Sequence, residues 1–124
     1  SKKITKSIEI VYGLRNFIGN ATKFSLKNIF ITLKSDDDTT EIIIEDDGEG
    51  YPSDILSKIG EPYLKTFNKN KKLDSGSGSG LGLGIFIGKT LLEKNFAQIN
   101  CRNSKTRGGA EVIIKWKNKD LFKI

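Results

Sequence analysis

The chain has 124 residues, 36% hydrophobic and 29% charged, with a net charge of +6, one cysteine, no histidine and no methionine. That length supports one buried core, the lone Cys101 excludes a disulfide framework or cysteine metal cluster, and no apolar run approaches the roughly 18 residues of a membrane span or forms a signal peptide. The basic balance does not indicate nucleic acid, because 18 lysines stand against 3 arginines and are scattered along the chain, whereas base readout and stacking favour Arg and exposed aromatics.

The first element is a helix over about residues 7 to 25. Ile10, Leu14, Phe17, Ile18, Ala21 and Phe24 recur at the spacing of a buried stripe. At about 100° per residue, Asn16, Asn20 and Lys23 fall together on its flank. Asn is a mediocre helix former, because its amide competes with the backbone for hydrogen bonds. Two in one helix interior suggest side chains with something to hold, and an amide oxygen suits Mg²⁺ arriving with phosphates. A solvated polar face is the plainer alternative.

Strands follow at 28–34 and 39–46, the second rich in β-branched residues and ending in Asp46-Asp47-Gly48-Glu49-Gly50. Glycines there permit a close approach to a ligand. An ionised carboxylate is acceptor-only, so it can take the exocyclic amine of adenine and repel the O6 of guanine. EF-hand spacing is absent. A short helix is expected at 53–59.

Residues 63 to 79 are polar, unlike regular structure, and long for a loop in a compact domain. Five glycines then alternate from Gly76 to Gly84 and run into an apolar helix. Such a junction is an anion site, with bare N–H groups and room for phosphates. The Rossmann register of glycines is missing. A Walker A loop is excluded too, because only three residues separate Gly84 from Gly88-Lys89-Thr90. Strands at 97–103 and 110–117 complete the reading, with Cys101 as a small buried hydrophobe in the first of them.

In this order and spacing, the three glycine- and Asn-bearing segments resemble the N, G1 and G2 boxes of the Bergerat-fold ATPases. Leu14-x-Asn16-x-x-x-Asn20-Ala-x-Lys23-Phe24-Ser25 looks like a sensor histidine kinase N box. Gly60-Glu-Pro-Tyr63 with Gly80-Leu-Gly-Leu-Gly84 is similar to the redox-responding RegB/PrrB branch. The resemblance covers residues 8 to 117. It implies an α+β fold, a two-layer α/β sandwich of three helices on one face of a mixed, mostly antiparallel sheet, as a single domain.

Carried over, Asn20 coordinates Mg²⁺ and touches the phosphates of ATP, with Asn16 beside it and Lys23 reaching a phosphate. Phe24 lies near the base, and Asp46 binds the adenine amine on a wall shaped by Gly48 and Gly50. Gly78, Gly80, Leu81, Gly82 and Leu83 hold the triphosphate. Residues 63–79 are the ATP lid, with Phe67 as an apolar clip and Lys65, Lys69, Lys71 and Lys72 as phosphate candidates. Gly84 stands where a small Ala or Ser is usual, and Ala110 where many relatives have Thr.

The resemblance implies a catalytic domain that passes the γ-phosphate of Mg-ATP to a histidine. With no histidine here, the acceptor must lie on a separate dimerisation domain, with a response regulator as final acceptor. The lack of Met predicts a fragment of a longer protein, the cytoplasmic part of a membrane-anchored sensor. The isolated domain is expected to be monomeric and to bind no nucleic acid. The alternatives are an ATPase or serine kinase of the same fold, which would place Glu at position 16 to deprotonate its nucleophile, or a nucleotide-sensing module that transfers nothing.

Overall fold

The computed structural model describes residues 2–59 and 79–121. Most of the expected lid lies outside them. The elements are α1 (Lys2–Phe24), β1 (Ile29–Ser35), β2 (Thr39–Asp46), α2 (Ser53–Ile59), α3 (Ser79–Lys94), β3 (Gln98–Asn103), β4 (Ala110–Lys117) and a single turn, α4 (Asn118–Leu121). The second and fourth strands and α2 have the bounds read from the sequence. Helix α1 begins five residues earlier than its apolar stripe suggests.

The sheet order is β1-β2-β4-β3, and its three pairings are all antiparallel. The described residues therefore contain no parallel pair, where a mixed sheet was expected. β2 and β3 do run in the same direction and are joined through the helical layer, but β4 inserts between them and pairs with both.

Directly paired residues share a face. The register sets Ile44 opposite Val112 and Ile42 opposite Ile114, and Ile99 and Cys101 continue the row on β3. This face carries the core, with Ile44, Val112, Ile114 and Trp116 buried against Phe17, Ala21, Ile85, Phe86 and Leu92 of the helices. Because strand side chains alternate, the inward row of β2 reads Ile42, Ile44, Asp46. Its last member is a carboxylate only 3% exposed.

The helices α1 and α3 pack closely because glycines meet between them. A Cβ on Gly13 would fall 2.6 Å from Leu92 Cγ, and one on Gly88 would fall 3.0 Å from the Phe17 ring. The polar groups at this junction are satisfied within it. Asn95, 1% exposed, donates to the Leu91 carbonyl at 2.9 Å and to Glu9 at 3.2 Å. Its own carbonyl accepts the Trp116 indole N–H at 3.1 Å.

Candidate functional site

Between α1 and the sheet lies a cavity of about 630 Å³. Phe17, Asn20, Ala21, Lys23 and Phe24 of α1 form one side, and Ile44, Asp46, Ala110 and Val112 of the sheet form its floor. Leu26 and the segment Glu49 to Pro52 complete the rim. The α1 residues are there because the helix turns its apolar stripe toward the sheet, which brings Asn20 and Lys23 to the stripe's edge.

Asp46 is held by backbone donors. Gly48 N–H donates to Oδ1 at 2.9 Å and Ala110 N–H to the same oxygen at 3.2 Å. Among the described residues neither bond uses Oδ2, so an acceptor on a buried group remains for a ligand in the cavity. Gly109 makes this arrangement possible. Its backbone lies directly against the Asp46 carboxylate and the Gly48 amide, where no Cβ could be placed. Gly50 is constrained for a second reason, adopting φ +84° with Asn103 Oδ1 2.6 Å from where a Cβ would stand.

Asn20 differs from Asp46 in being unsatisfied. Its Nδ2 is buried and has no hydrogen-bond partner among the described residues. Leaving a buried polar group unpaired costs about 1–3 kcal/mol, so an orphan on a cavity wall points to a partner supplied by a ligand. Gly84 of α3 faces this amide, and a Cβ there would sit 3.3 Å from Nδ2 and 3.4 Å from Oδ1. The missing side chain at position 84 thus gives the carboxamide room.

The structure gathers Asn20, Lys23, Phe24, Asp46 and Gly50 around one cavity. Lys23 Nζ lies 5.4 Å from the Phe24 ring centre. Gly48 stands behind Asp46 rather than on the lining. Asn16 is also outside it, facing Gly88 of α3 while its amide donates to the Tyr12 carbonyl at 2.9 Å. Gly80, Leu81, Gly82 and Leu83 fall in the first turns of α3, which starts at Ser79. Gly78, Phe67 and the lid lysines lie outside the described residues.

Among the residues of this region that sequence reasoning missed are Gly109, Leu26, Tyr51 and Asp47. Gly109 had a visible signal, a Gly-Gly pair just before a strand. Leu26, Tyr51 and Asp47 had none. Tyr51 is buried at 7% exposure, and burial, reinforced by the neighbouring Cys101 thiol, pushes its hydroxyl above the ordinary range. Burial likewise pushes Cys101 up to about 12. The pair is therefore neutral at physiological pH and offers no nucleophile. Among the described residues no group of His, Cys, Asp and Glu is arranged to hold a metal, so an ion here would need amide and phosphate oxygens.

The sequence profile described as histidine kinase-, DNA gyrase B-, and HSP90-like ATPase matches residues 5–120. The chain is similar to the sensor histidine kinase RegB of Cereibacter sphaeroides, 38% identical over 102 residues, which are 82% of this chain and 22% of that protein. It is also similar to the sensor protein kinase PilS of Pseudomonas aeruginosa, 30% identical over 103 residues, 77% of this chain and 18% of that one. The solved mycobacterial sensor histidine kinase MprB shares the fold, with a TM-score of 0.52 at 22% identity over 86% of this chain and 68% of that one. The chain spans about a fifth of the length of the curated relatives it matches.

Proposed function

Because the chain belongs to the family of histidine kinase-, DNA gyrase B-, and HSP90-like ATPases, we propose that it is the ATP-binding catalytic domain of a two-component sensor histidine kinase. The γ-phosphate of Mg-ATP passes to a histidine on a separate dimerisation domain and from there to a response-regulator aspartate. The single observation that carries this reading is one cavity holding a buried carboxylate with a spare acceptor, Asp46, and a buried unpaired amide, Asn20. A base bearing an amine fits the first, and a phosphate with its cation fits the second.

Asp46 Oδ2 accepts from the adenine amine, Gly48 and Gly109 keep backbone close to its carboxylate, and Gly50 shapes the cavity rim beside the base. Phe24 covers the ring system. Lys23 balances phosphate charge, and the backbone N–H groups at the start of α3, around Gly80 and Gly82, add the positive end of a helix dipole. The Asn20 oxygen is the group that would hold Mg²⁺, whose chemistry when bound is to neutralise charge on the phosphates.

Phosphoryl transfer needs mostly positioning and charge stabilisation. A neutral imidazole attacks with a lone pair and needs no base from this domain, whereas water or a hydroxyl must lose a proton. Asn16 supplies no carboxylate for that purpose. This favours a histidine acceptor over hydrolysis. As a sensor kinase domain that draws on ATP, the chain would be the cytoplasmic part of a membrane-anchored protein. Among the described residues no helix is long and apolar enough to cross a membrane.

The test supplies the chain with the dimerisation helices of its own protein and γ-labelled ATP. One histidine on those helices should become labelled, Asn20→Ala should abolish the labelling, and the chain alone should hydrolyse ATP only slowly. ATP and ADP should raise its unfolding temperature and GTP should not. Brisk turnover by the chain alone would point to an ATPase. Bound ATP without transfer would point to a sensing module.

A further inference from the structure

β2 ends on Asp46, and the aspartate that follows it, Asp47, does something different. Asp46 points into the cavity. Asp47 turns to the segment that follows α1, where three successive amides converge on its carboxylate. Leu26 N–H donates to Oδ1 at 2.8 Å, Lys27 N–H to Oδ1 and Oδ2 at 3.1 and 3.3 Å, and Asn28 N–H to Oδ2 at 3.0 Å. Hydrogen bonds to an ionised acceptor are stronger than those between neutral groups. Gly48 closes the same junction, its backbone packed so tightly on the Phe24 carbonyl that no Cβ fits.

The segment held this way carries part of the cavity rim. Phe24 and Leu26 both line the cavity, yet they are 42% and 75% exposed. Leu26 is a large apolar side chain that the fold leaves in water, beside the strand end that bears Asp46. Covering it is favourable in proportion to the apolar area removed from water. A ligand seated on Asp46 offers that cover through its base and sugar.

We propose that Asp47 is a positioning residue for the nucleotide, fixing the turn that presents Leu26 as an apolar contact for base and sugar. The proposal rests on the nucleotide reading of the cavity. It makes adjacent residues of one strand end responsible for polar recognition of the base and for the apolar wall beside it, so their spacing is set by a single peptide unit.

The test measures the affinity of ADP and of ATP, each with and without Mg²⁺, for wild-type chain, Leu26→Ala, Asp47→Ala, Asp47→Asn and the Leu26→Ala/Asp47→Ala double variant, with thermal unfolding to score the folded fraction. Leu26→Ala should weaken all four ligand states by a similar factor, roughly five-fold for covering part of a leucine, because the contact is to the moiety they share. Asp47→Ala should weaken them at least as much. Asp47→Asn should fall between, since its amide oxygen keeps the Leu26 and Lys27 bonds and loses that of Asn28. The double variant should bind no more weakly than Asp47→Ala, because with the turn released Leu26 has no fixed place to lose.

Wild-type affinity in Leu26→Ala overturns the proposal, as do losses that grow with phosphate number or losses that multiply in the double variant. Should Asp47→Ala fail to fold, Leu26→Ala at its exposed position decides the matter. A wild-type chain that binds ADP while Leu26→Ala and Asp47→Ala bind it equally well rejects this inference alone. A wild-type chain that binds no adenine nucleotide rejects the cavity reading and this inference with it.

Discussion

The backbone of Gly109 lies against the carboxylate of Asp46, with the Asp46 carbonyl and the Gly48 amide on the same side, in a space that admits no Cβ. Two segments far apart in the sequence thereby share one tightly packed point, and the group at that point is the buried acceptor of the cavity.

Gly109→Ala should therefore damage both folding and binding. The added methyl meets backbone as well as side chain, so no rotamer change relieves it. Overpacking of this kind costs about 1–3 kcal/mol. The expected outcome is a lowered unfolding temperature and the loss of any stabilisation by ADP, read by thermal melts with and without nucleotide. A Gly109→Ala variant that melts and responds to ADP as wild type does would refute the contact as described.

The junction of α1, α3 and β4 should show how unequal neighbouring polar contacts can be. Asn95→Ala removes a fully buried amide, leaves the Leu91 carbonyl without that donor and opens a void, for about 2–4 kcal/mol. Lys94, whose side chain is 64% exposed, donates to Glu9 at 2.6 Å, and Lys94→Ala should cost under about 1 kcal/mol. Denaturant titrations of the two variants check the ranking. The Lys94 and Asn95 bonds hold Glu9 below the ordinary carboxylate range. Its contribution is therefore present above the unfolded carboxylate pKa and fades as pH falls through the lower folded value.

Cys101 provides a pH dependence of the opposite sense. Burial raises its pKa to about 12, so above the ordinary thiol value the unfolded chain ionises while the folded one stays neutral. Stability should be fully present below about pH 8.5 and decline as pH rises from there towards 12. Cys101→Ala should remove that share of the decline. The same burial predicts slow reaction with thiol reagents near neutral pH in the native state and rapid reaction after unfolding, a difference that spectrophotometric thiol titration measures.

Much of this protein follows from local pattern. The i, i+3, i+4 stripe of α1, the alternation in β2 and β4 and the glycines after Asp46 each reflect a property of a few consecutive residues, which is why those elements could be read from sequence, whereas the set Asn20, Lys23, Phe24, Asp46 and Gly50 was assembled through the resemblance of these segments to the boxes of known ATPases. Helical phase alone could not separate Asn16 from Asn20. Both lie on the same flank of α1, and only the packing of α3 tells them apart, with Gly88 against the Asn16 Cβ and Gly84 beside the Asn20 carboxamide, of which Asn20 alone lines the cavity. The antiparallel sheet is likewise a tertiary outcome, because the insertion of β4 between β2 and β3 is a choice among pairings that no single strand encodes. Leu26 and Asp47 show the same limit at the site itself. An exposed leucine and a second acidic residue in a turn are ordinary features of a sequence, and they acquire a role only when the intervening chain folds back to bring three amides onto one carboxylate.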